Sequence, residues 1–477
     1  MTLDTPRIRL AEATVRARPV RLRMPFGFGI ATLREVEQAV ISVRITDTAG
    51  ASAIGVTAEC LLPKWFDKTP GLSDADNVVQ LRRALDIAID LYRAAGMGTP
   101  FGIAAGVYRA QQAACAAEGL NPLVASYGPA MLDRAILDAL GVLAGRSLSA
   151  MIAANLPGID AALTPDLAGF DLGAFLASLS PDSTVGLRHT VGLVDALTVA
   201  DKPADAPQDG LPVSLDEVIA AYGCRYFKLK IAGDPAHDLD RLRRIAAVLD
   251  THCTDYRCTL DGNEQYDDEA GILDLWRRIA GEPGLERLAQ SVLFIEQPIR
   301  RAVALQQEVS GLAAHRPVIV DESDSTVDAF AEAIGLGYRG VSSKSCKGFY
   351  KSILNAARVA ERNAAGDGGM PFFLSGEDLM TLSGISTQQD LALVALLGLG
   401  HVERNGHHYV DGMGFAPAAE QDALVAAHPD LYAASPGHPA RLRITDGAIS
   451  VGSLDGPGYG LGAQRDALVR AWEPLPA

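Results

Sequence analysis

The sequence of 477 residues has little of several features that mark particular classes of protein. Its six cysteines include no CxxC pair, so reduced thiols in a cytoplasm are expected rather than a disulfide framework. Basic residues are fewer than acidic ones, 42 against 58, and the net charge of −16 argues against nucleic acids and anionic membrane surfaces as partners. The longest uncharged apolar run, residues 391–400, is far shorter than the roughly 20 residues that span a bilayer. The N-terminus lacks the apolar core of a secretory signal, so we expect a soluble, cytoplasmic protein.

The first part of the chain predicts an α+β domain. Residues 20–62 alternate apolar and polar positions around turn signals, which predicts an antiparallel meander. From about residue 74 to residue 153, apolar residues recur at helical spacing. Residues 155–183 and 199–214 are rich in Pro, Gly, Asp and Ser, which is typical of connections or insertions. We therefore assign residues 1–184 to an α+β domain with an insertion near 155–183.

The second part predicts a parallel barrel. Eight short runs rich in branched or aromatic residues recur, most of them separated by amphipathic helical stretches: 185–190, 225–230, 257–261, 292–296, 318–321, 340–344, 371–375 and 401–404. Such regular spacing is typical of the strand–helix units of a (β/α) barrel. A doubly wound open sheet is the alternative, but eight repeats without a Gly-rich phosphate loop favour closure. We assign residues 185–404 to the barrel. Residues 405–477 form a C-terminal segment, with a short strand at 441–444, that is expected to pack back on the first domain.

Polar residues stand at the C-terminal ends of these strands, where a parallel barrel has its active face. In the strand at 225–230, alternation places Lys228 and Lys230 on one side and Phe227 and Leu229 on the other. Because the apolar pair must face the helices, both lysines are predicted to point into the barrel. A buried ammonium is costly unless it is compensated. An edge strand with solvated lysines is the alternative interpretation.

The next three strands each end on a carboxylate, namely Asp261, Glu296 and Asp321. One carboxylate after a strand is usually a helix cap or a turn former. Three that converge on one barrel mouth would repel each other unless a cation lay between them. Oxygen ligands without a paired His or Cys suit a hard divalent ion, which predicts Mg²⁺. A purely structural cation site is the alternative.

Lys344 ends the sixth strand, four strands after Lys228 and Lys230, and is expected to face them across the barrel. A carboxylate substrate chelated by the metal would then have an amine on each face of its α-carbon. This arrangement serves abstraction of the α-proton, with the metal stabilising charge on an enediolate and the lysines moving the proton. The base needs a lowered pKa near neutral pH. We expect the positive charge of three lysines and a divalent cation at the barrel mouth to exceed the negative charge of three carboxylates, so that a small anionic substrate can bind.

These residues resemble the motifs of the enolase superfamily, in the branch that includes muconate-lactonizing enzymes, o-succinylbenzoate synthase and dipeptide epimerases. The matching motifs are Lys228-Leu-Lys230, Asp261-Gly-Asn263, Glu296-Gln-Pro298, Asp321-Glu322 and Lys344-Ser-Cys-Lys347. The segment Met24-Pro-Phe-Gly-Phe-Gly is similar to the substrate loop of the family's capping domain. The resemblance covers most of residues 15–410.

The resemblance implies the family's modified TIM-type barrel, with an α+β capping domain built from the N-terminal region and the C-terminal tail. It implies one Mg²⁺ per active site, replaceable by Mn²⁺, with Asp261, Glu296 and Asp321 as ligands. Lys230 and Lys344 would be the acid/base catalysts, and Lys228 would bind or polarise the substrate carboxylate. It also implies a homo-oligomer. The candidate substrate-binding residues are Asn263, Phe26, Phe28, Glu377, Asp378 and Glu403.

Several features depart from the family pattern. Gly348 is followed by Phe349 and Tyr350 rather than by a second glycine, and the insertion near 155–183 is extra. The seventh strand ends without a His, which disfavours the mandelate-racemase arrangement. His407 and His408 either contact substrate or cap a turn.

The leading prediction is a Mg²⁺-dependent racemase, epimerase or cycloisomerase that acts on a carboxylate through an enediolate. The alternatives are a mandelate-racemase-type dehydratase of acid sugars or other hydroxy acids, and a barrel recruited as a binding or structural protein.

Overall fold

The computed structural model describes residues 5–29, 31–366, 368–462 and 465. The strands in these ranges are β1 (Ile8–Phe28), β2 (Ala31–Asp47), β3 (Ser52–Cys60), β4 (Thr184–Val191), β5 (Tyr226–Lys230), β6 (Arg257–Asp261), β7 (Val292–Glu296), β8 (Val318–Val320), β9 (Gly340–Ser343), β10 (Phe373–Gly376), β11 (His401–Arg404), β12 (Tyr432–Ser435), β13 (His438–Leu442) and β14 (Ala448–Ser450).

The helices in the same ranges alternate with the barrel strands and cover the first sheet. They are α1 (Asp74–Ala94), α2 (Pro100–Ala117), α3 (Pro122–Ala144), α4 (Leu148–Ala153), α5 (Leu172–Ser178), α6 (Leu215–Tyr222), α7 (Pro235–His252), α8 (Glu269–Gly281), α9 (Glu286–Ser291), α10 (Arg301–Ala304), α11 (Ser310–Ala313), α12 (Ala329–Gly335), α13 (Phe349–Ala365), α14 (Ile385–Leu396), α15 (Gly406–Tyr409) and α16 (Ala418–Ala427).

The first sheet is an antiparallel meander of β1, β2 and β3. The turn between β2 and β3 is fixed by the Asp47 side chain, which accepts hydrogen bonds from the backbone N–H groups of Ala49 and Ala51. β1 begins at Ile8, well before the predicted start at residue 20. The early part of β1 is largely half-buried or exposed and rich in charged side chains, so it lacks the alternation on which the prediction depended.

Helices α1, α2 and α3 cover one face of this sheet and form the capping domain with it. Ser73 caps α1 in a reciprocal arrangement with Asp76, and the Asn121 side chain caps α3. Most of α3 is buried because it lies between the sheet and the other two helices. The contact between α3 and β3 is close at Gly55, where an added Cβ would overlap the Ala135 carbonyl oxygen.

Strands β4 to β11 form a closed parallel barrel. Neighbours in the sheet follow chain order, and β11 pairs with β4, so the sheet has no free edge between them. This confirms the predicted TIM-type barrel with its capping domain and rules out the open-sheet alternative. Among the helices of the described residues, we find none with the length and apolarity needed to cross a membrane.

The C-terminal segment contacts both parts of the molecule. The strand predicted at 441–444 overlaps β13 only at residues 441 and 442, because β13 begins at His438 and ends at Leu442. β13 pairs with β12, while β14 adds to the barrel sheet beside β4. Farther on, the Tyr459 N–H and the Arg465 guanidinium donate to the carboxylate of Asp138 in α3. Residues 463–464 and 466–477 of the predicted segment lie outside the described residues.

Helix α14 joins the barrel to the cap. The Gln389 side chain donates to the Val56 carbonyl over 2.6 Å and accepts from the Thr57 hydroxyl over 2.6 Å. The insertion near 155–183 is also tied to the barrel, because the carboxylate of Asp166 binds the Arg358 guanidinium of α13 at 2.7 and 2.9 Å. The first 184 residues are therefore attached to the barrel helices at more than one place.

We expect Gly55→Ala to destabilise the protein by about 1–3 kcal/mol, because the added methyl group must displace the backbone of α3. Gly106→Ala is the matched control. Gly106 is exposed in α2 with open space around its Cβ position, so the same change should be neutral or stabilising by up to about 1 kcal/mol. Urea unfolding followed by circular dichroism measures both. Equal midpoints for the two variants would contradict the close contact of β3 with α3.

A second prediction concerns pH. Burial raises the pKa of Asp133 in α3 from 3.8 to about 7. The folded protein therefore keeps a proton that the unfolded chain releases. The contribution of this proton to the free energy of unfolding is fully present below a pH of about 4. It is lost as the pH rises to about 7, which lowers the free energy of unfolding by about 4 kcal/mol. Asp133→Asn keeps an acceptor for the Tyr92 hydroxyl and should gain stability relative to the parent as pH rises from 4 to 8. A stability difference that stays constant with pH would contradict this prediction.

Candidate active site

The ends of β5, β6 and β7 place three predicted site residues side by side. Strand register pairs Lys230 with Asp261 and Asp261 with Glu296, so their side chains form one row at the barrel mouth. All three are buried, and the Lys230 ammonium donates to Asp261 Oδ2 over 2.5 Å. Asp321 and Lys344, which directly follow β8 and β9, are buried at the same mouth and bind each other over 2.5 Å.

Lys228, two residues before Lys230 in β5, is the centre of an ion cluster. Its ammonium donates to Glu296 Oε1 at 2.9 Å, Glu377 Oε2 at 2.8 Å and Glu403 Oε2 at 2.9 Å, and lies 3.0 Å from Asp261 Oδ2. Burial disfavours the charge, but the four carboxylates raise the pKa of Lys228 well above its ordinary value. These three hydrogen bonds use all three N–H groups of the ammonium. Its predicted contact with a substrate carboxylate would require one of these bonds to break.

The cluster is more acidic than the sequence analysis expects. Glu377 and Glu403 join Asp261, Glu296 and Asp321, so five buried carboxylates surround three buried lysines. The expected balance of three lysines and a divalent cation against three carboxylates is incomplete on both sides, because Arg188 also binds Glu377 and the Lys347 ammonium lies 3.4 Å from Asp321. The expected excess of positive charge stays a prediction. The two glutamates were assigned to substrate specificity and left out of that charge balance.

The acids of the cluster differ in how readily they ionise. Burial, with Asp261 and Glu377 nearby, raises the pKa of Glu296 well above its ordinary value. Glu403 is also buried, but Lys228 and the other lysines lower its pKa well below the ordinary value. The cluster therefore tolerates five acids because one of them, Glu296, can keep a proton while the lysines compensate the others.

Asp321 is held by basic and hydroxyl groups on several sides. Its Oδ2 accepts from Lys344, while its Oδ1 accepts from the Ser342 hydroxyl and lies 3.4 Å from the Lys347 ammonium. Burial disfavours the ammonium of Lys344, but Asp321 raises the pKa of Lys344 above its ordinary value. The lowered pKa expected of a lysine base is therefore not found in this arrangement, because the carboxylate favours the protonated form.

The cap reaches the catalytic face through the loop that follows β3. The Trp65 ring lies 4.5 Å from the Lys344 ammonium, a cation–π contact. The Lys68 ammonium pairs with Glu264 and donates to the Asn263 carbonyl over 3.3 Å. The Asn263 side chain in turn accepts from Lys230 over 2.7 Å. One loop of the cap thus touches both predicted acid/base lysines, directly or through one residue.

A small chamber lies between the cap and these residues. Its volume is about 20 Å³, which is room for about one or two water molecules, so the chamber is too small for a substrate in this structure. The cap contributes apolar side chains to its wall, and the barrel contributes lysines and acids. The wall consists of Phe26, Phe28, Leu62, Trp65, Lys228, Lys230, Asn263, Lys344, Asp378, Leu379, Met380, Glu403 and Asn405.

Five of the six candidate substrate-binding residues face this chamber, and Glu377 lies behind it. The Phe26 ring is fixed against Tyr409 at 4.4 Å between centroids. Asp378 is engaged by backbone, since its carboxylate accepts the N–H groups of Thr381 and Asn405 at 2.8 and 2.7 Å. Glu377 is bound by Lys228 and Arg188, so it acts within the ion cluster.

His407 and His408 occupy neither of the positions considered from the sequence. They lie in α15, are buried, and form a cluster with His189, whose Nδ1 is 3.3 Å from His407 Nε2. Burial lowers the pKa of all three, so they are neutral imidazoles. In the described residues neither histidine belongs to the chamber wall, and both pack the outside of the barrel.

Sequence reasoning missed three residues of the site, Arg188, Thr190 and Trp65. Arg188 on β4 is fully buried and binds Glu377 and the Gly376 carbonyl. The alternation rule that placed Lys228 inward would have placed Arg188 and Thr190 inward too, and Thr190 does bind Glu403 over 2.7 Å. Trp65 stands in a loop, and no sequence signal distinguished its contact with Lys344 from ordinary packing.

The three predicted metal ligands, Asp261, Glu296 and Asp321, are fully buried at the barrel mouth. Within the ranges that the structure describes, no three Asp, Glu, His or Cys side chains are arranged to hold one metal ion. The cause is that Lys228 lies between Asp261 and Glu296, while Lys344 holds Asp321. The donor chemistry does fit, because all three are buried carboxylates and a cation, the Lys228 ammonium, already lies between two of them. Metal binding would require these ion pairs to rearrange.

Comparison with known proteins identifies the family. A family model described as enolase C-terminal domain-like matches residues 212–467, more than half of the chain. The chain belongs to this family. The predicted resemblance to the enolase superfamily is therefore confirmed, and the matched segment includes every predicted lysine and carboxylate of the ion cluster.

Individual relatives include racemases and epimerases. The L-Lys-D/L-Arg epimerase of Methylococcus capsulatus is 31% identical over 204 residues, which are 41% of this chain and 52% of that relative. The chain thus spans about half the length of this curated relative. A dipeptide epimerase of the same organism, complexed with magnesium and L-Arg-D-Lys, superimposes with a TM-score of 0.57 at 18% identity over 95% of this chain and 99% of that one. An enolase from Bradyrhizobium, complexed with magnesium and mandelic acid, superimposes with a TM-score of 0.59 at 17% identity, over 99% of this chain and 100% of that one. At these identities the structures establish the shared fold.

The ion cluster makes a prediction about stability. Lys228→Met should destabilise the protein by about 3–5 kcal/mol, because it leaves Glu296, Glu377 and Glu403 buried without their shared cation. Lys202→Met is the matched control, since Lys202 pairs with Glu217 in a partly exposed position and should cost less than about 1 kcal/mol. Chemical unfolding at pH 7.5 measures the difference. Equal losses in the two variants would contradict the central role of Lys228.

Proposed function

We propose that the protein is a racemase or epimerase that removes and returns the α-proton of a small carboxylate. Lys230 and Lys344 are the acid/base groups, and Asp261, Glu296 and Asp321 hold Mg²⁺, for which Mn²⁺ can substitute. The observation that carries the proposal is that two lysines from opposite sides of the barrel line one chamber. Family membership and the epimerases among the relatives support the reaction class.

The position of the two lysines suits transfer of a proton at both faces of one carbon. Lys230 ends β5 and Lys344 follows β9, and these strands are four positions apart around a barrel of eight. A flat carbon held between them would present one face to each amine, so one lysine can remove a proton while the other returns one. Mg²⁺ bound by the three carboxylates would supply positive charge to the substrate carboxylate as the α-proton leaves.

Neighbouring side chains fix the direction of each amine. The Lys230 ammonium donates to the Asn263 side chain, and the Lys344 ammonium lies against the Trp65 ring. Neither contact uses a carboxylate that is proposed to hold Mg²⁺, so both can position the amines and lower the entropy cost of reaching the reactive geometry. The apolar roof of Phe26, Phe28 and Trp65 keeps water from the chamber and so strengthens the electrostatic interactions inside it.

The substrate class follows from the roof and from the relatives. An aromatic roof above a charged floor favours a carboxylate that has an apolar group beside its reacting carbon. Among the relatives are an L-Lys-D/L-Arg epimerase and a dipeptide epimerase, so we propose dipeptides with an apolar residue as the first substrates to test. The chamber holds about 20 Å³, so the cap must move to admit them.

The alternative functions have less support. A dehydratase of mandelate-racemase type would need a histidine base, and no histidine lines the chamber among the described residues. A recruited binding protein would be expected to have lost a ligand or a lysine, whereas all of the predicted ones are present and buried. Homo-oligomeric assembly and cytoplasmic location stay predictions.

The proposal predicts proton exchange with solvent. Incubation of L- and D-configured dipeptides with the protein and Mg²⁺ in D₂O should place deuterium on Cα and lower the optical purity, as followed by NMR and chiral chromatography. Lys344→Met should reduce exchange from one epimer by about 100-fold or more while exchange from the other persists, and Lys230→Met should show the opposite preference, because each lysine reaches one face.

Two controls sharpen this test. His407→Gln changes a buried histidine outside the chamber and should leave exchange intact. Loss of exchange in His407→Gln, with exchange retained in Lys344→Met, would favour the dehydratase-type histidine base instead. A folded, Mg²⁺-loaded protein that exchanges no carboxylate across dipeptides, N-acyl amino acids and hydroxy acids would contradict the proposed function.

A further inference from the structure

A second cavity lies outside the barrel mouth, at the seam between the cap and helix α13. Its volume is about 50 Å³, which is room for about three to five water molecules. Cap helices α1, α2 and α3 form one wall, the loop after β8 another, and the start of α13 a third. Leu163 from the insertion near 155–183 closes the remaining side. The proposed reaction uses none of these residues.

The wall formed by α13 has the character of an anion site. This helix of 17 residues begins after Gly348, which has a φ of 123° and offers no side chain to cap the first turn. The first intrahelical bond runs from the Ser352 N–H to the Gly348 carbonyl, so the N–H groups of residues 349–351 have no acceptor within the helix. The positive end of the helix dipole adds to these donors.

Two buried lysines add positive charge beside this helix start. Lys347 and Lys351 both line the cavity, and both pair with the single carboxylate of Asp324, at 2.9 and 3.2 Å. Asp321, the other acid beside Lys347, is shared with Lys344. Positive charge is therefore in excess at the seam. Burial accordingly lowers the pKa of Lys351 to about 8, which shows that its ammonium is incompletely compensated.

Unused hydrogen-bond donors remain in the cavity wall. The Lys351 ammonium donates to the Asp324 carbonyl over 2.6 Å and contacts its carboxylate, and no other acceptor for it is found in the described residues. The Tyr350 hydroxyl is buried, with the residue 3% exposed, and has no hydrogen-bond partner in the part of the chain that the structure describes. A buried hydroxyl without a partner is costly, so an acceptor is expected at this place.

Asp133 lies at the cap side of the cavity, and its carboxyl would repel a bound anion only when the carboxyl is ionised. Its carboxylate already accepts the Tyr92 hydroxyl over 2.7 Å, and burial raises the pKa of Asp133 to about 7. At slightly acidic pH the Asp133 carboxyl is therefore mostly neutral while Lys351 is charged. Under these conditions the net charge of the wall is positive.

We propose that the seam cavity is a binding site for a small oxyanion, held by the Lys351 ammonium, the Tyr350 hydroxyl and the first turn of α13. A phosphate-like or a small carboxylate group fits the size and the donors equally, since both present compact acceptor oxygens. Lys347 links the site to the barrel, because its ammonium also donates to Ser342 over 2.7 Å and to the Asp321 carbonyl over 3.2 Å. The site is independent of the proposed reaction.

Isothermal titration calorimetry tests this proposal. Inorganic phosphate and acetate are titrated separately into the full chain at pH 6.5, with ionic strength held constant by sodium chloride. Saturable binding at one site per chain is expected for at least one of them. The anion that binds more tightly shows whether the site prefers a phosphate-like or a carboxylate group. Tyr350→Phe, which removes only the hydroxyl, should weaken binding by about tenfold. Lys351→Met should weaken it by more than tenfold, because it removes the charge as well.

Lys202→Met is the control for loss of a positive charge elsewhere, since Lys202 pairs with Glu217 and does not line the cavity. It should bind the anion as the parent does. Circular dichroism checks that each variant is folded, and Tyr350→Phe keeps the test decisive if Lys351→Met fails to fold. Absence of saturable binding of both anions would overturn the proposal. So would affinities that are the same in the parent, Tyr350→Phe and Lys351→Met.

Discussion

The arrangement of side chains at the barrel mouth depends on one requirement, which is that several charges must be stable away from water. Lys228 lies among four carboxylates from four different strands or strand ends. Three of them have a second partner, since Lys230 binds Asp261, Arg188 binds Glu377 and Thr190 binds Glu403. Desolvation of so many charges is tolerable only when every one is paired and hydrogen-bonded. The partners Arg188, Thr190 and Lys230 are therefore as necessary to the cluster as Lys228 itself. A closed barrel supplies this condition, because inward-pointing side chains from all strands converge without any mobile loop between them.

Ion pairs also connect the cap with the barrel. Arg301, at the start of α10, binds Glu264 through two nitrogens and also donates to the carbonyls of Trp65 and Phe66. Lys68 pairs with the same Glu264. The loop that places Trp65 against Lys344 is thus fixed by a charged cluster of its own, beside the ion cluster of Lys228. Since these contacts border a chamber of only about 20 Å³, the proposed function implies that substrate entry and the geometry of Lys344 are coupled through this loop.

Much of the fold and part of the site follow from the sequence, for identifiable reasons. The barrel strands were predictable because each is short, apolar and followed by a helix, and period-2 alternation then put Lys228 and the three acids inward. The extra acids Glu377 and Glu403 were seen but not placed in the cluster, because alternation states which face a residue occupies and not how far its side chain reaches. The burial of His407 and His408 was not predictable, since a four-residue helix after β11 leaves no periodic signal. Trp65 was missed because its partner comes from the other domain.

Two departures from the family pattern noted in the sequence meet at one place in the fold. Phe349 stands where a second glycine was expected after Gly348, with Tyr350 next to it, and the insertion near 155–183 is extra chain. The insertion is pinned to α13 by Asp166 and Arg358, which brings Leu163 over the cavity that Tyr350 lines from the other side. Neither feature accounts for the seam by itself. Their coincidence, beside two lysines that share one aspartate, is what distinguishes this seam from ordinary packing between domains.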